Sequence, residues 1–296
     1  MNNILPPHIM QAFYERGLIL HGNPKINCIF RVDVQEKPKG NQDGSALIRA
    51  DGSGWVQNWT TDDKPTCFWP GSALPKPSEQ EKQRREAKRM AAAEQQEQNY
   101  KSAAARAKKI LESARPASAE HPYLQRKGVG AHGISESNGE LVIPIFDAFG
   151  AIQSLQFIPQ QGNKRFLRNG KAMGGRFLIG GEPDANDLNL KILVCEGYAT
   201  GWTLNNETGY PVFVAFFAGN LEHVAVSVRS KYLKKRIVIC GDNDWEKPIN
   251  TGVKYAKKAA AHARANVAFP PNLPGVSDFN DWSLYLKNEG VNNERN

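Results

Sequence analysis

Two short runs in the last third of the chain are apolar at nearly every position. Lys191–Cys195 reads KILVC and Arg236–Cys240 reads RIVIC. Neither alternates between apolar and polar residues, so each predicts a strand buried on both faces, as in a parallel sheet. Val212–Phe216 and Asn266–Phe269 read as further strands. Helical patterns fall between and after them, at Ala199–Glu207, Leu221–Lys231, Val253–Arg264 and Asn280–Lys287. This alternation predicts an α/β domain, a parallel sheet with helices on both faces.

Upstream the pattern changes twice. Ile29–Val34, Ala46–Arg49 and Trp55–Trp59 read as short strands joined by Gly-rich turns, a small antiparallel module. From Ser78 to Ala114 there is no Gly or Pro, and strong helix formers dominate. Ser78-Glu79-Gln80-Glu81 has the form of a capping box. The first part of this helix lacks a wide apolar stripe and reads as a connector through solvent. After Pro116 come strands at Leu141–Ile145 and Ile152–Ile158, with Asp147–Gly150 as the hairpin turn. The chain divides on this reading into a β-rich module at 1–75, a charged helical connector at 76–115, a basic α+β subdomain at 116–189 and the α/β domain at 190–296.

Charge narrows the partners. The 296 residues carry a formal net charge of +8, which favours a polyanion, nucleic acid first among them. Arg126, Lys127, Lys164, Arg165, Arg168, Lys171 and Arg176 lie in the third segment, several interleaved with Gly and aromatic residues. Cations for phosphates and rings for stacking suit a nucleic-acid strand. Lys82, Arg84, Arg85, Lys88 and Arg89 make a further basic cluster, either a solvated helix face or a phosphate contact. The four cysteines (Cys28, Cys67, Cys195, Cys240) have no metal-ligand spacing, so no zinc is expected. Free thiols, no leader-like start and no membrane-length apolar run predict a cytoplasmic protein.

The acids supply the chemistry. Glu196 directly follows the first apolar run; Asp242 and Asp244 follow the second; Asp278 and Asp281 come later in SDFND. Ligands of open α/β sheets bind beyond the carboxyl ends of the strands. Carboxylates there, in a basic protein, suggest a hard divalent cation and phosphate chemistry. Asp278 also fits a helix N-cap, as do Asn280 and Asp281.

Glu196 in CEGYATG, Asp242–Asp244 in GDND and the later SDFND together resemble a Toprim domain, in the form found in plasmid- and phage-type DNA primases. HPYLQRKGV at 121–129, SLQFI at 154–158 and KRFL at 164–167 are similar to the catalytic region of those primases. The N-terminal module resembles the cysteine-free leader of some plasmid primases. The resemblance implies an enzyme, a nucleotidyltransferase that makes short primers on single-stranded DNA from nucleoside triphosphates. It implies Mg²⁺ or Mn²⁺ held by Glu196, Asp242, Asp244, Asp278 and Asp281, with Glu196, Asp242 and Asp244 catalytic. One metal would activate a primer 3′-hydroxyl and the other would hold the triphosphate. Glu196 as general base is left open beside ligation. Lys164 and Arg165 would bind triphosphate or template backbone.

The zinc ribbon that reads template in many such primases has no counterpart here, and no G-x-x-x-x-G-K-[ST] motif occurs. Unwinding is therefore expected from a separate helicase or replication initiator, with no membrane partner. Toprim domains also serve topoisomerases, nucleases and a recombination mediator. A Toprim-type nuclease and a non-catalytic single-stranded DNA-binding accessory protein stay as alternatives.

Overall fold

The computed structural model describes residues 5–71, 79–184, 186, 187 and 189–293. It forms two compact units, 1–86 and 87–296.

In the first unit, helix α1 (Pro7–Glu15) precedes strands β1 (Leu18–Ile19), β2 (Ile29–Val34), β3 (Gly44–Ile48), β4 (Gly54–Asn58) and β5 (Thr66–Phe68). The strands form one antiparallel sheet in chain order. One face of it packs Val32, Val34, Ala46, Ile48, Val56 and Phe68 against Ile9, Ala12 and Phe13 of α1. That helix was not anticipated. Its signals were present: a proline in the first turn and buried residues at i, i+3 and i+4.

Helix α2 (Glu79–Ser113) runs the length expected, and residues 82–98 are exposed throughout. Ser78 and the prolines before it lie outside the described residues. Within the second unit the later turns of α2 lay Ala107, Ile110 and Leu111 on Val142, Leu155 and Phe157. A second antiparallel sheet follows, in the order β10 (Arg165–Phe166), β9 (Ile152–Ile158), β8 (Glu140–Phe146), β7 (Ser135–Ser137) and β6 (Arg115–Pro116), with helix α3 (Pro122–Lys127) between β6 and β7. The turn between β8 and β9 is held by Asp147, whose carboxylate accepts from the backbone N–H groups of Phe149 and Ala151 at 2.8 and 2.9 Å.

The third sheet is α/β. Its order is β11 (Phe177–Ile179), β13 (Val212–Val214), β12 (Lys191–Cys195), β14 (Arg236–Cys240) and β15 (Asn266–Ala268). Strands β12 to β15 are mutually parallel, but β11 runs antiparallel to β13. The sheet is thus mixed, where a wholly parallel one was expected. Strand β11 follows the bridge between Phe146 and Arg176 and so enters from the direction of the second sheet, not from a helical crossover. Leu193, Cys195, Val212 and Val214 face α4 (Tyr198–Thr208) and the second sheet. Ile192, Val194, Phe213, Ile237 and Ile239 face α5 (Leu221–Lys231) and α6 (Thr251–Ala263). Both faces of β12 are therefore buried, which is why its sequence shows no alternation. Helix α7 (Phe279–Asn293) packs on α4. Among the described residues no helix is long and apolar enough to cross a membrane.

Candidate active site

Parallel register brings two acids to one rim. Cys195 lies level with Cys240 across β12 and β14. Glu196 is the next residue in one strand and Asp242 follows Gly241 in the other, so both leave the sheet at its carboxyl edge. Two glycines allow this. A Cβ at Gly241 would stand 2.6 Å from the Ala256 Cβ and 2.8 Å from the Phe269 ring. A Cβ at Gly252 would stand 2.4 Å from the Asp242 carbonyl oxygen. Helix α6 thus presses directly on the backbone that carries Asp242.

The loop after Asp242 is locked by Asn243, a residue the sequence reading passed over. Its side chain is buried and donates to the Pro270 carbonyl at 3.0 Å and to Asn272 Oδ1 at 2.8 Å. Its backbone N–H donates to the Ser277 carbonyl at 2.7 Å, and its Oδ1 accepts from Asn250, the N-cap of α6. The loop bearing Asp244 is therefore tied to the loop bearing Asp278. Asp244 pairs with Lys247 at 3.0 Å.

Asp278 caps α7, its Oδ1 accepting from the Asp281 N–H at 2.8 Å. Its charge still reaches the acids at the strand ends, because it raises the pKa of both Glu196 and Asp242. Asp281 is differently placed. It accepts from Ser277 Oγ at 2.9 Å and pairs with Lys127 at 2.9 Å. Burial alone would raise its pKa, but these partners hold it below the usual carboxylate range. Asn280, an N-cap candidate by sequence, leaves that place to Asp278; it is 2% exposed and joins three elements, donating to the Lys127 carbonyl at 2.8 Å and to Thr203 Oγ1 at 2.9 Å. Tyr198 is fully buried, and its hydroxyl meets the carbonyls of Gly130 and His132 at 2.9 and 3.1 Å.

Burial and mutual repulsion push Glu196 up to about 7 and Asp242 up to about 8. The ammonium of Lys164 lies within reach of this site, 3.2 Å from the position of a Cβ at Gly197, and draws both pKa values back down. Glu196 Oε1 and Asp242 Oδ1 are buried with no hydrogen-bond partner. Unpaired buried carboxylate oxygens are costly and call for a counter-charge. Hard oxygen donors of this kind suit Mg²⁺, which takes one or two carboxylates and leaves its other positions to water and phosphate. A fuller cage is not in place: among the described residues no three His, Cys, Asp or Glu side chains are set to hold an ion. Cys28 and Cys67 are exposed and Cys195 and Cys240 buried, and all four are free thiols.

The basic residues separate into two groups. Lys164, Arg165, Arg168 and Lys171 are exposed on or beside β10. Arg165 lies 4.3 Å over the Phe157 ring and pairs with Glu140, and Lys171 lies 6.0 Å over Tyr100. Arg126 donates to the Gln160 carbonyl at 3.0 Å and lies 5.7 Å over Tyr123. Lys127 and Arg176 are engaged within the fold. Arg176 is 7% exposed, donates to Ser227 Oγ and the Ala148 carbonyl, and covers Phe213 at 5.0 Å.

The rim continues past β13. The strand ends at Val214, short of the expected Phe216, because Asn220 captures the Ala215 carbonyl at 2.8 Å. Asn220 also accepts from the Gly174 N–H at 2.7 Å and donates to the Gly175 carbonyl at 2.8 Å. Phe216 takes a left-handed φ of 73°, uncommon for a bulky residue. It and Phe217 meet Phe166 edge-on.

Residues 191–290 match the Toprim domain family. The match begins at β12 and includes Glu196, Asp242, Asp244, Asp278 and Asp281. Over 260 residues the chain is 32% identical to DNA primase TraC of Escherichia coli, covering 84% of this chain and 24% of that protein. Over 262 residues it is 30% identical to another Escherichia coli DNA primase TraC, covering 84% and 18%. The chain thus spans a quarter or less of the length of these primases. Among solved structures it is similar to the primase fragment of the bacteriophage T7 primase-helicase protein, at 19% identity and TM-score 0.41, covering 57% of this chain and 71% of that one. It is also similar to the DnaG catalytic core, at 15% identity and TM-score 0.38, covering 64% and 75%.

Proposed function

We propose that this chain is a DNA primase, a nucleotidyltransferase that joins nucleoside triphosphates into short primers on a single-stranded DNA template. The observation that carries this is the pair of buried, unpartnered carboxylate oxygens on Glu196 and Asp242, at the carboxyl edge of the Toprim sheet with Lys164 beside them. The homology to TraC proteins supports it.

Glu196, Asp242 and Asp244 would hold Mg²⁺ or Mn²⁺, with Asp278 contributing charge from the cap of α7. Bound metal supplies charge compensation for phosphoryl transfer. Lys164 is placed to neutralise a phosphate at the same rim. Arg165, Arg168 and Lys171 continue the cationic surface along which a template backbone runs. Arg126 extends it through the Gln160 loop. Lys127 and Arg176 act by holding Asp281 and the β8–β9 turn, and Asp281 acts by holding Ser277. We assign the chain four parts: the β module at 1–75, the helical connector at 76–115, the basic subdomain at 116–189 and the Toprim domain at 190–296. A separate helicase or replication initiator supplies unwound template, in the cytoplasm.

The test is synthesis. The protein is incubated with single-stranded DNA of varied sequence, ribonucleotides or deoxynucleotides, and Mg²⁺ or Mn²⁺. Short oligonucleotides are expected from the parent, none from Glu196→Gln, and undiminished DNA binding by both. Cleavage of the template without synthesis would replace this reading with a Toprim nuclease. Binding without either reaction would leave an accessory DNA-binding protein.

A further inference from the structure

The first unit has a second sheet face with no core on it. Register sets its rows. Ile29, Leu47, Trp55 and Cys67 stand in line across four strands, and Arg31, Ser45 and Gln57 form the next row. These are the positions opposite the Val32, Ala46 and Val56 side, which packs on α1. This face carries exposed apolar groups, Ile29 at 67% and Trp59 at 53%, beside the half-buried Leu47 and Trp55 and the buried Ser45 and Gln57. Trp59 lies over this face, held by a hydrogen bond from its indole N–H to Ser45 Oγ at 2.9 Å, and the Arg31 guanidinium covers its ring at 5.8 Å.

Charge is segregated on the same side. Residues 1–71 contain seven Lys and Arg and seven Asp and Glu, so this part of the chain is neutral. A groove of about 570 Å³ beside β2 nevertheless collects Lys25, Arg31 and Lys39. Its one acid, Asp33, is buried and already spent on the backbone N–H groups of Gly40 and Gln42 and on His21. None of the three cations has an acidic partner among the described residues. An antiparallel face that presents the exposed Trp59 ring, the half-buried Trp55 and unpaired cations suits unpaired nucleotides: rings accept bases by stacking, and cations take the phosphates.

We propose that the outer face of the β1–β5 sheet is a second nucleic-acid site, which binds single strands without zinc. Trp59 and Trp55 stack bases, while Arg31, Lys25 and Lys39 contact the backbone. This site stands apart from the synthesis reaction and does not need the Toprim acids.

The test uses the full chain carrying Glu196→Gln, in chelator and without triphosphates, so that only binding is read. Fluorescent dT and rU oligonucleotides and a duplex of equal length are titrated at several salt concentrations. Removing two phosphate contacts in Arg31→Gln/Lys39→Gln should weaken single-strand binding about tenfold and flatten the slope of log K against log salt by about 1.4. Trp59→Ala should weaken it roughly tenfold with little change in slope, and Trp59→Phe should lie between. Preference for dT marks the site as a template contact, and preference for rU as a primer contact. The proposal is overturned if both sets of variants bind within twofold of the parent with the same slope, or if duplex binds as well as single strands. The charge variants alter only exposed ends, so they decide the question even if Trp59→Ala disturbs folding. A chain that makes no primers but shows these losses would keep this site and lose the primase reading.

Discussion

Asp242→Asn should make the metal-free protein more stable, while removing the activity proposed for it. The Asp242 carboxyl keeps its proton up to about 8 in the folded chain, against an ordinary value of 3.8, chiefly because it is buried and secondarily because Glu196 is close. Unfolding therefore releases a proton between these limits, and stability falls as pH rises through that window. A displacement of about four units corresponds to roughly 5 kcal/mol for a lone group. Glu196 and Asp242 share one repulsion, and the fold relaxes around a buried charge, so about 3 kcal/mol is expected for the single variant. At pH 8.5 in chelator this is a rise in Tm of about 6–12 °C. The gap should close near pH 4, where the parent's Asp242 carboxyl is protonated in the folded chain and begins to be so in the unfolded one, while Asn stays neutral throughout. Added Mg²⁺ should raise the Tm of the parent and leave the variant nearly unchanged, because only a site that binds metal gains by mass action. Calorimetry across pH with and without metal reads all of this. A variant no more stable than the parent at pH 8.5, or equally more stable at pH 4, would refute the burial argument.

Gly252→Ala puts a methyl 2.4 Å from the Asp242 carbonyl oxygen; a loss of about 1–3 kcal/mol in denaturant unfolding is expected, with a larger loss of synthesis than of DNA binding. Asn280→Ala unpairs Thr203 and the Lys127 carbonyl; about 1–3 kcal/mol should be lost in the same assay. Lys127→Met removes the cationic partner of the partly buried Asp281 carboxylate and leaves only Ser277 donating to it. The parent should exceed this variant by about 1–2 kcal/mol above the usual carboxylate range. That advantage should shrink as pH falls through the lowered Asp281 pKa, which a pH series of melting curves would show.

Much of the fold was legible because burial leaves a plain signature. Strands β12 and β14 and helix α5 occupy the spans their sequences predict, since a segment covered on both faces has no room for alternation. Strand β11 was not legible: three residues carry no direction, and its antiparallel sense comes from its attachment to the second sheet. Helix α1 was missed because Pro6-Pro7 reads first as a break, while its buried side is only three residues.

The site divides in the same way. Sequence alone put Glu196, Asp242 and Asp244 just past strand ends, because an acid after an apolar run has only the rim to occupy. It also showed a basic stretch upstream and the Toprim resemblance. Only the tertiary structure distinguished acids and cations that share a motif or a charge. Asp278 and Asp281 sit three residues apart, yet one lends its charge to the rim and the other is held by Lys127. Lys164 reaches the acids, whereas Arg176 is drawn into the fold. The reason is physical: a residue's position in a strand or helix follows from local pattern, but its desolvation and its partners depend on segments distant in sequence, 51 residues for Arg176 and Ser227 and 154 for Lys127 and Asp281.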